Sequence, residues 1–320
     1  MEARDAKAAT GAPRRMDPAR PLVAARPRYG EKVIQGLLAA CAVISVITTT
    51  VIVISLLSPT LDFFGEASLG KFFSLDEWAP TQADPTFGAL RLVIGTMSAT
   101  LWALLFAIPI GLLSAIYLSE YAPPRVRKTV KPILEVLAGI PTVALGLFAI
   151  TFISPQIQDI FPDAVKSPPF FVLAAGLGIG LLIVPIIASL SDDAMRAVPG
   201  SLREGAYALG ADKLKVSTKV VFPAAISGIV ASIVLAASRA VGETMIVLLA
   251  AGANPNASFN PFESVLTMTA SIARVATGDI GTNTITYNTI FAVGALLFVM
   301  TLAMNAVAIR LVRRFREVYE

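Results

Sequence analysis

Arg239 and Glu243 stand four residues apart inside an apolar stretch that runs from 224 to 252, with its midpoint at 238. If that stretch crosses a bilayer, the guanidinium lies near its centre. An unpaired arginine there costs about 2.5–3.5 kcal/mol even on the gentler insertion scale, so something must offset it. Glu243 is one helical turn away on the same face, although Arg before Glu is the weaker i,i+4 order. Glu135, in another apolar stretch, is a second available partner. Two uses follow from these residue types. One is an ion pair that fastens helices. The other is a fixed cation on the path of an anion, because a guanidinium offers a phosphate-like oxyanion two parallel donors. Glu243 would then tune its strength so that the anion is released.

A second segment, 191–222, is polar and has its own spacing. Ser201-Leu202-Arg203-Glu204 fits a capping box, in which Ser201 and Glu204 satisfy the first free amides of a helix. Gly210 is placed to end that helix in a left-handed turn. Asp212 can cap a second short helix that leads to Pro223. Leu202, Ala206 and Leu209 would form an apolar edge, costly in water without a partner. Such a helix either lies on the membrane surface, anchored by Lys213, Lys215 and Lys219, or inserts into a cytoplasmic protein.

The elements that must position these residues are helices. Of the 320 residues, 55% are hydrophobic and 15% charged, and the mean hydropathy is +0.73. A soluble domain is closer to a quarter charged, so a water-facing surface is excluded, as is a disordered chain. One cysteine, Cys41, excludes a disulfide scaffold, and the lack of histidine weakens zinc or Ser-His-Asp chemistry. Six apolar stretches can be marked, roughly 33–57, 93–119, 132–153, 170–190, 224–252 and 286–309. Each has the ~20 residues that a helix needs to cross ~30 Å of hydrocarbon, and in lipid only a helix or closed barrel pairs its own backbone. Pro109, Pro141 and Pro185 predict kinks in the second to fourth. The first is too long for the core of a cleaved signal peptide. Residues 1–32 form a basic, Pro- and Ala-rich cytoplasmic tail expected to be disordered.

Of the 26 Lys and Arg residues, 21 fall in the N-tail, the loops 120–131 and 191–222, and the C-tail, whereas the loops 58–88, 154–169 and 253–285 hold three. The positive-inside rule then puts both termini in the cytoplasm. The basic balance is a topology signal and not a nucleic-acid footprint. Gly65–Phe72 nearly matches a phosphate loop but ends in Phe72 where a hydroxyl must hold Mg²⁺. Gly176 and Gly180, four apart within a span, suit close helix packing. No nucleotide, metal or other cofactor site is expected in this chain.

Glu204-Gly205-Ala206, three residues, Gly210, nine residues, then Val220, Phe222 and Pro223 resembles the EAA loop of ABC importer permeases. Gly205 departs from the family's Ala, at about 1 kcal/mol of helix propensity. Val220 and Phe222 replace Ile and Leu. Three further segments narrow the resemblance: Ser119-Glu120-Tyr121-Ala122-Pro123, Leu137-Ala138-Gly139-Ile140-Pro141-Thr142 and Arg239-Ala240-Val241-Gly242-Glu243-Thr244-Met245. Together they are similar to the PstC-type phosphate permease family, in order and over about 33–315. Thr142 replaces the usual Ser and keeps a hydroxyl.

The resemblance implies an all-α polytopic membrane protein with six transmembrane helices and the type I importer (MetI-like) fold in a bacterial-type inner membrane. It implies a PstA-like sister permease, a PstB-like ATPase dimer that hydrolyses the ATP, and a PstS-like phosphate-binding protein. Inorganic phosphate would be the cargo. Ser201, Glu204, Gly205, Ala206, Leu209, Gly210 and Pro223 would belong to the ATPase coupling loop. Arg239 and Glu243 would serve phosphate passage, with Gly139, Pro141 and Thr142 beside the path, although helix packing is the commoner use of any one of those three. The competing readings are a PstA-type sister, a permease for sulfate or molybdate, and a stand-alone ion-coupled transporter, which would need pseudo-symmetric broken helices. No internal repeat is visible.

Overall fold

The computed structural model describes residues 29–282 and 284–314. The tail expectation for 1–28 lies outside these residues. Helix α1 (Tyr29–Glu66) opens the described chain. The chain falls into two units, divided after Val53. From Gly30 to Ile52 every residue is exposed, and an apolar helix with no polar face is suited to lipid or a neighbouring subunit.

From Ile54 onward the chain forms one unit. The end of α1 leads into a short α2 (Leu69–Phe72) and a hairpin of β1 (Trp78–Ala79) and β2 (Thr86–Phe87), paired antiparallel with Trp78 opposite Phe87. Phe63 packs edge-on against Phe64, Phe72 and Phe87, with ring centroids 5.2, 5.6 and 5.2 Å away. Interfacial anchoring is the ordinary use of such aromatics. Here Phe63, Phe72 and Trp78 are instead buried and form the core of this end of the molecule.

The centre is a helix pair, α3 (Leu90–Ile116) against α7 (Val172–Arg196). Small residues bring the two backbones together. A methyl on Gly176 would lie 2.8 Å from the Trp102 Cβ, and one on Gly180 would lie 2.6 Å from the Phe106 ring. Pro109 and Pro185 sit inside these helices, which continue through them. A π-helical turn, Tyr117–Tyr121, extends α3.

The kinked third helix expected over 132–153 is not formed. The chain makes α4 (Pro124–Leu137), breaks at 138–141, and restarts as α5 (Thr142–Phe148), a π-helical turn (Ala149–Ile153) and α6 (Ser154–Ile160). The candidate span is Thr142–Ile160. Pro141 has no amide hydrogen and keeps Ile140 out of the helical region. What composition read as a kink is therefore a helix boundary. Helix α4 has no buried residue and carries Arg125, Arg127, Lys128 and Lys131.

After α7 come α8 (Gly200–Ala208), α9 (Lys213–Val216), a π-helical turn (Ser217–Val221) and α10 (Phe222–Ala224). The chain then bends by 70° into α11 (Ile226–Val241). The fifth helix expected over 224–252 also breaks. It stops at Val241 and resumes as α12 (Met245–Ala250). Helices α13 (Met268–Thr277) and α14 (Ile285–Arg314) complete the described fold. Among the described residues, five helices are long and apolar enough to cross a membrane, or six when the bent 213–241 segment is counted as one span.

A methyl on Gly95 of α3 would overlap the Leu266 carbonyl oxygen, whereas one on Gly65 meets nothing within 4 Å. Overpacking against a rigid backbone costs about 1–3 kcal/mol. Gly95→Ala is expected to lower the unfolding midpoint of the detergent-solubilised protein by several degrees, with Gly65→Ala unchanged as the control. Equal midpoints would show that α3 and the loop before α13 are not in close contact.

Candidate functional site

The polar loop after α7 begins with a cluster of charges. Asp192, fully buried, sits 2.7 Å from Arg127 and 3.5 Å from both Lys131 and Arg196, and Lys131 also bonds Asp193. Arg127 and Lys131 both come from α4. The amphipathic helix is thereby fastened to the end of α7 by charges that sequence spacing gave no reason to pair.

Helix α8 follows. The expected capping box does not form. The N-cap position is Pro199, Ser201 lies inside the helix, and no side chain caps the first amides. Pro199 starts the helix two residues earlier than the Ser-Glu spacing suggests because its fixed φ of −55° favours a turn into helix. The other end behaves as expected. Gly210 has φ +78°, its amide donates to Tyr207 O at 2.9 Å, and the Ala211 amide reaches Ala206 O at 3.1 Å. That two-bond pattern is the Schellman turn. Asp212 caps α9 by accepting from the Lys215 amide at 2.7 Å. The same bond, with help from the Lys215 side chain, holds the Asp212 carboxyl below its ordinary range. The cap is therefore charged at neutral pH and is lost only as pH falls through that lowered value.

The apolar edge of α8 is divided. Leu202 and Ala206 pack against a buried cluster that includes Met195, Val198, Val216, Val221 and Ile229. Leu209 is 91% exposed. Ser201, Glu204, Gly205 and Ala208 also face outward, and a methyl on Gly205 would meet nothing within 4 Å. The loop therefore presents a small-residue face tipped by Leu209. Pro223 sits in the first turn of α10, just before the bend into α11.

In the middle of the molecule, Arg239 lies in the last turn of α11, exposed. Among the described residues, no carboxylate forms an ion pair with it. The pair expected with Glu243 is absent because the helix that would align the two ends at Val241. Glu243 instead turns inward and is buried. Its Oε1 accepts the amides of Thr244, Met245 and Ile246 at 3.1, 3.1 and 3.3 Å, the free amides at the start of α12. Its carbonyl accepts the Thr269 hydroxyl at 2.7 Å. Glu135 is exposed on α4. Beside Arg239, Ser238 hydrogen-bonds Asn305 of α14 at 3.1 Å. Sequence reasoning passed over this polar pair, because one Asn in an apolar run gives no signal of its partner.

Gly139 and Pro141 lie in the break before α5, and Thr142 is its first residue, half-buried. One turn on, a methyl at Gly146 would come within 3.2 Å of the Met245 carbonyl and of the Ile246 Cα. The restarts of the third and fifth helices therefore lie side by side. Among the described residues no three His, Cys, Asp or Glu side chains converge as metal ligands.

The family model described as "binding-protein-dependent transport system inner membrane component" matches residues 107–317. A probable ABC transporter permease protein, YqgH of Bacillus subtilis, is 33% identical over 264 residues, covering 82% of this chain and 84% of the relative. Phosphate transport system permease protein PstC 1 of Mycobacterium tuberculosis is 34% identical over 275 residues, covering 76% of this chain and 81% of the relative. Among solved structures, a bacterial alginate ABC transporter superposes with a TM-score of 0.63 over 92% of this chain and 100% of that one, at 17% identity. The MetNI methionine ABC transporter gives 0.56 over 71% and 96%, at 23% identity. These two similarities show the fold, which is that of type I importer permeases.

A branched residue at φ +78° is strained by about 1–2 kcal/mol. Gly210→Val is expected to loosen the end of α8, read as faster hydrogen exchange of the 206–211 amides in the purified protein. Unchanged exchange would show that the turn does not depend on glycine.

Proposed function

This chain belongs to the family of binding-protein-dependent transport system inner membrane components, and from that premise we propose that it conducts inorganic phosphate through its importer. As a member it is a multi-pass membrane permease subunit of an ABC importer and is not itself an enzyme. The family works with an ATPase and a substrate-binding protein. Our reading makes these a PstB-like ATPase dimer, which hydrolyses the ATP, and a PstS-like phosphate-binding protein, with a PstA-like sister completing the path. It is supported by the PstC relatives and by the four sequence segments that resemble theirs. The distribution of 21 of 26 positive charges supports cytoplasmic termini.

The observation that carries the substrate class is the free guanidinium of Arg239 at the break of a spanning helix. A lone cation in a low-dielectric wall attracts an anion strongly and offers it a planar two-donor face. Glu243 moderates that attraction by its field while its oxygen stays committed to the α12 amides. The adjoining break at Gly139, Pro141 and Thr142 supplies a helix start and a hydroxyl beside the path. The outward face of α8, with Glu204, Gly205, Leu209 and Gly210, docks on the ATPase, and closure of that motor drives alternating access.

Arg239→Gln removes the charge and keeps a polar side chain of similar reach. Radiolabelled phosphate uptake is expected to fall to background while the complex still co-purifies with its ATPase. Uptake at the wild-type rate would remove Arg239 from the path.

A further inference from the structure

Arg203 lies on the inward side of α8 and was noticed in the sequence only as part of a capping box that does not form. Its guanidinium reaches two spanning helices at once. Nη1 donates to Val198 O at 2.7 Å and Nη2 to Met195 O at 2.8 Å, both at the end of α7. Nη2 also donates to Glu120 Oε1 at 3.0 Å. Glu120 sits in the π-helical turn that ends α3, and its side chain is only 6% exposed. Ser119, its neighbour, bonds the Met195 sulfur at 3.3 Å. Extra-residue turns of this kind interrupt a helix where function needs it.

We propose that Arg203 is the positioning residue through which movement of α8 reaches α3 and α7. The side chains of Leu202 and Ala206 add apolar contacts between α8 and its unit. Apolar contact is non-directional, so on its own it lets a short helix roll or slide in place. A guanidinium shared between two carbonyls and a carboxylate is directional and charge-assisted. It fixes the helix in angle and in height, so that a push on the outward face displaces the ends of both spans together. The α7 end is in turn held to α4 through Asp192, Arg127 and Lys131, which extends the set of ties to the helix that precedes the third span. Arg203 touches neither substrate nor nucleotide. Its effect is on the conversion of ATP hydrolysis into transport.

This proposal rests on the assignment of α8 as the ATPase-docking helix. The test uses the complete complex in liposomes, with ATP hydrolysis, phosphate uptake and bound ATPase measured on the same preparation. Arg203→Gln removes the tie from the α8 side. Glu120→Gln removes only the carboxylate charge and keeps an acceptor, which protects folding. Both variants are expected to retain bound ATPase and to hydrolyse ATP, while uptake per ATP falls about tenfold in Arg203→Gln and less in Glu120→Gln. Arg203→Lys is expected to restore part of the loss, because it returns the charge without the fork. Wild-type stoichiometry in Arg203→Gln overturns the proposal, as does loss of bound ATPase in both Gln variants. Failure of the wild-type chain itself to retain an ATPase would instead overturn the docking assignment.

Discussion

A bilayer has no water to solvate an open backbone, and the arrangement of this molecule follows from how it meets that constraint where its helices break. Two helices that could have crossed unbroken are interrupted. At the fifth, one carboxylate oxygen takes three amides at the start of α12. A buried charge is tolerated when it is hydrogen-bonded in this way, and the positive end of a helix favours it. The same bonds occupy the group that would otherwise neutralise Arg239. The guanidinium is left exposed in the spanning region while Glu243, four residues on, is already used.

The other break obeys the same physics by a different route. Pro141 removes one donor and starts α5 as a new helix. The two restarted helices then pack closely at Gly146, where only a missing side chain lets the backbones meet. A free cation and two interrupted helices thus share one region, which is the one our proposal gives to the cargo anion. The loop of α8 and α9 solves a mechanical problem instead. In its proposed role it presents a small, exposed face to a partner and is still fixed to the spans. Leu209, Glu204 and Gly205 provide the first. The bonds of Arg203 provide the second.

Much of this was legible in the sequence for stated reasons. The surplus of apolar residues, the six stretches and the charge asymmetry follow from transfer free energy and need no tertiary information. Gly210 was legible because only glycine adopts the required φ cheaply. Asp212 was legible because a short acceptor before a helix has few other uses. The Ser201–Glu204 box was not, because Pro199 offers a competing start that residue spacing does not weigh. The 138–141 break was half legible. Proline announced a disturbance, but whether a helix bends or ends depends on what the next helix packs against.

The sequence by itself determined that this chain crosses a membrane and that an arginine and a glutamate stand four residues apart in an apolar run. These are consequences of composition and of periods shorter than two helical turns. Only the tertiary structure decided that the two charges do not pair, that Glu243 closes a backbone gap, and that Arg203 joins Glu120 across 83 residues of chain. The physical reason is that each polar group takes the best partner within reach in space. Reach in space is set by how distant helices pack, which local periodicity does not encode.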